Sequence, residues 1–318
     1  MSDPYLIQLA AQLIQGLGQL PSKGLARHVA FLRSMQNQDG GFSGREGGSD
    51  LYYTGFALRG LAVLDALTTE VTERAAAYLR SRLTTDASVV DFFSLLYAAA
   101  LVQAAGGPDI FAESPTGWDE RVAQLLETFR TPDGGYTKAA GNASGSTYHT
   151  FLVGLCYQLL GRSLPRPQEV VRFIRSRRRE DGGFVEITPM RRGGTNPTAA
   201  AVGVLQMIDA EQGDATALSP EIHDGVVQFL VEMPSPEGGF RANGRAPLAD
   251  LLSTFTGLWT LHQLGAFARV DVTAALGYVR MLELCDGGFR GGLWDQQTDV
   301  EYTFYGLGCL GILPEENS

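Results

Sequence analysis

His149, in "STYHTF", stands directly before a threonine that recurs in register along the chain. Imidazole is the side chain whose ordinary pKa suits proton transfer near neutrality. Tyr53 and Tyr302 occupy the same place before two other copies of that threonine. Asp50, Asp250 and Asp299 each lie four residues before a copy, where a carboxylate can cap a helix or present charge to a site. Arg191, Arg192, Arg245 and Arg290 fall just upstream of three copies, and guanidinium binds phosphate through paired N–H groups. The candidate chemistry is proton transfer at His149, Asp250 and Tyr302. Arg191, Arg192, Arg245, Arg290, Tyr53 and Asp299 are then candidates for holding a polar or anionic ligand group. The competing reading makes these residues helix caps, hydrogen-bonded structural groups and solvated loop arginines. His28, His223 and His262 fall in helical patterns without evident partners, and no Ser–His–Asp order, P-loop or dinucleotide fingerprint occurs.

These residues are carried by a repeat. "QDGGF", "PDGGY", "EDGGF", "PEGGF" and "CDGGF" end at Phe42, Tyr136, Phe184, Phe240 and Phe289. Thr54, Thr150, Thr198, Thr254 and Thr303 follow, 12 residues later in the first copy and 14 in the others. Each threonine opens a run with apolar or small residues at about +4, +7 and +10, which is one face of a helix. "VVDFFSLLYAAALVQAAG" is a sixth copy, with Ser94 at the threonine place and the glycine turn lost. The six markers are 40 to 56 residues apart, the period of stacked supersecondary units. Between copies run amphipathic patterns such as "RPQEVVRFIRSRR" and "SPEIHDGVVQFLVEM", the latter starting with Ser219 as N-cap and Pro220 at N1. The amphipathic helices are expected to end in the glycine turn, with the first glycine as a left-handed cap. The acids before the Gly-Gly pairs, Asp39, Asp133, Asp181 and Asp286, read as turn-forming, since Asp commonly bonds local N–H groups.

Each repeat is therefore a helical hairpin, and the Ala-, Gly- and Leu-rich helices form an inner ring. The reading is an all-α, six-hairpin α/α toroid, one domain over residues 1–318. A closed ring is expected over an open solenoid because no polar capping repeat is evident. Ala57, Gly154, Ala201, Gly257 and Gly306 on the inner helices would leave room for a ligand chain.

The net charge of −10, without long like-charge blocks, argues against general nucleic-acid or anionic-membrane binding. The basic cluster "RFIRSRRRE" reads as the solvated end of a helix. No run reaches the length of a membrane span, and the N-terminal "YLIQLAAQLIQGLGQL" is an amphipathic helix and not a signal peptide. Three cysteines without CxxC spacing fit a reducing cytoplasm, with Cys156 and Cys309 as buried thiols.

With these motifs, the chain resembles the prenyltransferase and squalene-oxidase repeat family over nearly its whole length. Within it, the style is most similar to the β subunits of protein farnesyl- and geranylgeranyltransferases. That resemblance implies inner helices around an apolar cavity for a polyprenyl diphosphate, and a zinc that activates a substrate thiol. The zinc ligands of those enzymes would fall at Asp250, Leu252 and Tyr302, so only the aspartate is retained. Catalytic zinc normally takes three protein ligands, and leucine and a neutral phenol do not replace a thiolate and an imidazole. The diphosphate clamp is altered too: Gly194 takes a histidine place, Pro247 a lysine place, Ser253 a tyrosine place, and Arg245 lies one position from an arginine place. No DxDD-type run like that of the related cyclases occurs. The expected function is binding of an isoprenoid or related lipid, with any transfer or conversion independent of zinc and of other cofactors. The alternatives are a non-catalytic lipid- or partner-binding toroid, and a diverged β-type subunit that needs an α-type partner.

Overall fold

The computed structural model describes residues 3–83, 87–213 and 215–314. They form thirteen α-helices and one two-stranded antiparallel ribbon, in two compact units. The first unit comprises residues 1–9 and 119–278, the second residues 10–118 and 279–318.

In the first unit, helices α7 (Thr147–Leu159), α9 (Thr195–Gln212) and α11 (Leu251–Gln263) lie side by side in that order. Helix α8 (Pro167–Ser176) packs on α9 and α10 (Pro220–Val231) on α11. Helix α6 (Trp118–Thr128) precedes them and α12 (Val272–Leu282) follows. In the second unit the side-by-side order is α13 (Val300–Ile312), α3 (Leu51–Val63) and α5 (Val89–Ala104). Helix α2 (Ser22–Ser34) packs on α3 and α4 (Thr69–Ser81) on α5, while strands β1 (Phe289–Arg290) and β2 (Thr298–Asp299) pack on α13. Helix α1 (Tyr5–Leu17) is the amphipathic N-terminal helix, with Leu9, Leu13 and Leu17 buried at four-residue spacing. The inner helices α3, α5, α7, α9, α11 and α13 are covered nearly all round; α13 leaves only Glu301 and Tyr302 partly open.

The glycine turn is the joint of every full repeat. The outer helices do not end at its glycine. Met35, Arg177 and Glu232 close α2, α8 and α10 in right-handed conformation, and the turn follows. Its first glycine is left-handed in all five copies, with φ of 91° at Gly40, 91° at Gly134, 85° at Gly182, 98° at Gly238 and 101° at Gly287. A Cβ there would strike a backbone carbonyl of the next outer helix: Arg74 O, Glu169 O, Gly225 O, Ala274 O and Arg27 O respectively. Four residues along each of those helices stands an aromatic ring, Tyr78, Phe173, Phe229, Tyr278 or Phe31, over the second glycine. Glycine is needed for conformation and for close approach together.

The recurring threonine has a task that spacing alone does not reveal. The N–H groups of Phe42, Tyr136, Phe184, Phe240 and Phe289 donate to Oγ1 of Thr54, Thr150, Thr198, Thr254 and Thr303 at 2.9, 2.9, 2.8, 3.0 and 3.3 Å. All five threonines are fully buried. Each therefore ties the turn to the first helical turn that follows it. Ser94, in the copy without a turn, is buried with its Oγ unpartnered, as loss of that N–H donor requires. Three of the four acids beside the glycines, Asp39, Asp133 and Asp181, accept from nearby N–H groups as expected. Asp133 accepts from Gly145 N–H at 3.1 Å and Asp181 from Gly183 and Gly193 N–H at 3.2 and 2.9 Å.

Several expectations change. The basic cluster is not merely a solvated helix end: Arg177 is 3% exposed and ion-pairs with Asp133 at 2.7 Å, and Arg178 pairs with Glu221 at 2.6 Å. Ser219 holds the N-cap place of α10 but its side chain makes no cap bond. His28 and His223 have partners: His223 Nε2 lies 3.0 Å from Leu264 O. His28 is fully buried, accepts at Nδ1 from Gly288 N–H (3.1 Å), and so donates from Nε2 to Glu283 Oε1 (2.9 Å). The small residues of the inner helices are also filled by protein. A Cβ at Gly257 would lie 2.6 Å from the Phe240 ring, at Gly306 2.3 Å from Phe289, and at Gly154 2.9 Å from Met207. Ala57 and Ala201 share the register of Gly257 and Gly306 and are fully buried. At Gly257 and Gly306 this row seats the turn aromatics instead of leaving space for a ligand.

Candidate functional site

In the second unit the polar candidates gather around a residue the motif reading missed. Arg45, in the loop after the first glycine turn, makes a paired contact with both carboxylate oxygens of Asp295, and its Nε donates to Asp299 Oδ2 at 2.8 Å. Asp299 is 3% exposed and caps α13, accepting from Tyr302 N–H at 2.8 Å. Both of its oxygens are thus engaged within the protein. The Arg45 guanidinium also lies 5.4 Å from the centre of the Tyr302 ring. Tyr53 leans across Gly44 and meets Tyr52 edge to face at 5.3 Å; burial raises its phenol pKa, and Glu301, Asp299 and Asp50 add to the shift. Arg45 lies between a turn and a repeat threonine, the segment that also holds Arg191, Arg245 and Arg290, so its signal was present in the sequence. Arg290 itself is half-buried and donates to Met281 O at 2.8 Å.

One helical turn inward the site becomes aromatic. Tyr52 Oη donates to Glu301 Oε1 at 2.6 Å and Tyr305 Oη to the same oxygen at 3.2 Å. Burial raises the Glu301 carboxyl above its ordinary range against those hydrogen bonds. Phe56 packs against Tyr52, Phe304 and Tyr305 with ring centres 4.9, 5.8 and 5.3 Å away. Next to it Arg59, 8% exposed, has the rings of Phe56, Phe93, Tyr97 and Phe304 at 4.4, 5.0, 5.0 and 6.0 Å from its guanidinium carbon. Arg59 is the one lysine or arginine in any of the six inner helices, a signal that repeat alignment passes over.

In the first unit, His149 sits on the first turn of α7. Its Nδ1 is 2.7 Å from Ser146 Oγ, and that hydroxyl donates to the Glu186 carboxylate. Ser146 Oγ has one proton to give, so when it goes to Glu186 the imidazole donates from Nδ1 and keeps its lone pair at Nε2. Burial, and then the charge of Lys138, lower the His149 pKa, while burial raises that of Glu186. Asp250 caps α11, accepting from Ser253 N–H at 2.7 Å and Ser253 Oγ at 2.8 Å; burial raises its carboxyl pKa despite these bonds. Arg191, Arg192 and Arg245 are exposed loop residues, and among the described residues Arg245 is anchored only through its backbone N–H to Asn243 Oδ1 at 2.9 Å. Asp250 and Tyr302 belong to different units; Asp250 caps α11 in its own, and the Tyr302 ring packs beside Arg45 and Tyr305 in the other.

At the three places where the resemblance would put zinc ligands, the chain presents one carboxylate and one phenol. Asp250 is occupied as a cap, the leucine at 252 offers no donor atom, and Tyr302 presents a phenol. Cys156 and Cys309 are buried, with burial raising their thiols far above the usual range, while Cys285 is exposed.

Among solved structures, the chain is similar to Candida albicans protein geranylgeranyltransferase-I complexed with GGPP, with 14% identity over 90% of each chain and a TM-score of 0.69. A type II terpene cyclase from Scytonema in complex with geranylgeranyl dihydroxybenzoate gives 17% identity, 97% and 98% coverage, and a TM-score of 0.59. An α-1,6-mannanase of Salegentibacter sp. in complex with α-1,6-mannotriose gives 10% identity, 92% and 98% coverage, and a TM-score of 0.62. At these identities the likeness is one of fold, and the mannanase shows how far chemistry varies on it. Comparison with curated protein sequences gives no match. No helix among the described residues is long and apolar enough to cross a membrane. The family model of the prenyltransferase α/α toroid domain matches residues 2–94, 92–217 and 201–318, and the chain belongs to that family.

Proposed function

We propose that this protein binds an isoprenoid chain against the aromatic wall of α3, α5 and α13, and that any conversion of it proceeds without zinc. The observation that carries the reading is the gathering of Phe56, Phe93, Tyr97, Phe304 and Tyr305 from three neighbouring inner helices of one unit. Such rings are apolar neighbours for a branched polyene that enters among them, and each CH₂ removed from water contributes ~0.8 kcal/mol. Family membership, and the geranylgeranyl ligands of two similar structures, support the same class of ligand.

Titration calorimetry with farnesyl and geranylgeranyl diphosphate tests the binding. Saturable heat at micromolar ligand is expected, and no heat up to about 100 μM overturns the reading. Elemental analysis after dialysis tests the metal. The expectation is no stoichiometric zinc, and about one zinc per chain would refute it.

A further inference from the structure

We infer that Arg59 is the anchor of a buried anion site, so that the ligand enters with its acidic group against α3 and α5. Arg59 has no hydrogen-bond acceptor and no carboxylate within ion-pair reach among the described residues, and its Nε is buried and unpartnered. Four aromatic rings surround its guanidinium carbon. Their π faces attract the positive charge, but they supply none of the oxygen lone pairs that five N–H donors call for. A buried arginine is normally paired, because an uncompensated charge in a dry site is costly.

The surroundings leave that demand open. The Arg59 charge reaches Glu301, yet the two make no ion pair among the described residues, and burial favours the neutral form of Glu301. Ser94 on α5 contributes a second buried, unpartnered polar group, its Oγ. Gly55 lies between the two: a Cβ there would sit at ordinary contact distance, 3.4 Å from Arg59 Nη2 and 3.6 Å from Ser94 Cβ. The glycine thus leaves room for about one atom between the Arg59 guanidinium and the Cβ of Ser94, enough for one oxygen of an incoming anion. A carboxylate or phosphate group satisfies both, since each can accept paired bonds from guanidinium and one more from a hydroxyl. The rest of the ligand then lies on Phe56, Phe93 and Phe304. The orientation of the ligand rests on the isoprenoid reading above; the anion site itself does not.

The test uses wild type, Arg59→Met and Gly55→Ala, with two sets of probes. By calorimetry, geranylgeranyl diphosphate and geranylgeranoic acid should bind wild type at least about tenfold tighter than geranylgeraniol, as a charge-assisted pair implies. Arg59→Met should keep the affinity for the alcohol and lose the preference for either acid. By thermal melting, octanoate and inorganic pyrophosphate should stabilise wild type but not Arg59→Met, and the stronger of the two identifies carboxylate or phosphate as the preferred head. Without ligand, Arg59→Met should melt no lower than wild type, because an unpaired buried charge has been removed. Gly55→Ala keeps the arginine and fills the gap; it should weaken the anions alone, and it carries the test if the methionine variant does not fold. Equal affinity of wild type for acid and alcohol, an unchanged preference in both variants, or a ligand-free Arg59→Met protein that melts lower overturns the site. If no isoprenoid binds while octanoate or pyrophosphate still discriminates wild type from Arg59→Met, the isoprenoid reading fails and the anion site stands.

Discussion

At the scale of single residues, hydroxyls and one imidazole hold the repeats, and both uses are testable. Phe184 N–H is buried with Thr198 Oγ1 as its acceptor at 2.8 Å. Thr198→Val keeps shape and removes that acceptor, so it should cost about 1–3 kcal/mol in urea unfolding, the desolvation penalty of an orphaned donor. Thr198→Ser should recover most of the loss; a valine variant as stable as wild type would show that the bond is not needed. Glu283 is a second case. Burial would raise its pKa, but hydrogen bonds from His28, Arg280 and Arg27 outweigh that and bring it from 4.5 down to about 2. A carboxylate with a depressed folded pKa stabilises the fold fully above its unfolded pKa, and that contribution is lost as pH falls through the folded value. Glu283→Gln should therefore be less stable than wild type at pH 7, with the gap closing between about pH 4.5 and 2. A gap of constant size across that range would show that the ionised carboxylate is not what matters.

At the scale of elements, the first turn glycine is the joint between one hairpin and the next outer helix, and position decides what its loss costs. Gly182 has φ of 85°, and a Cβ there would lie 2.3 Å from the Gly225 carbonyl oxygen on α10. Gly47 has nearly the same φ, 87°, with open space around it. Alanine at Gly47 should cost about 1 kcal/mol for the left-handed conformation alone. Alanine at Gly182 must also push α10 away and should cost at least about twice that, read as a shift in urea midpoint. Equal costs at the two sites would mean that the turn does not rest on the helix. The hairpin period, the turn and the inner–outer alternation were legible in the sequence because glycine, threonine and apolar spacing express backbone needs directly. The contacts of "DGGF" with the next outer helix were not, since the ring that covers the second glycine, such as Tyr78 or Phe229, belongs to another repeat and has no fixed spacing from it. The site was less legible still. Asp250 and Asp299 stand where alignment expects them, but local N–H groups engage them as caps. Arg59 carries no motif, and its meaning comes only from rings on α5 and α13.

At the scale of the whole molecule, the two compact units raise the question of how the chain unfolds. Two of their three boundaries fall inside helices, between Leu9 and Ala10 in α1 and between Tyr278 and Val279 in α12; the third, between Trp118 and Asp119, falls at the start of α6. Each unit is also discontinuous in sequence, so neither can be excised as a single segment. Independent domains are normally joined through exposed, flexible segments crossed by few contacts, where one part can melt while the other persists. Here, melting one unit alone would require fraying two helices from their middles, and a helix interrupted mid-turn leaves unsatisfied backbone groups at each new end. The chain should therefore behave as a single cooperative domain over residues 1–318, although its length would allow two. Scanning calorimetry is expected to give one transition whose calorimetric and van't Hoff enthalpies agree, the signature of all-or-none unfolding. Tryptophan placement offers an independent reading, since Trp259 lies in the first unit and Trp294 in the second. With the other two tryptophans, Trp118 among them, replaced by phenylalanine in each case, the two emission signals should report the same urea midpoint. Midpoints that separate, or a calorimetric enthalpy well above the van't Hoff value, would make the units separate domains and overturn the single-domain reading.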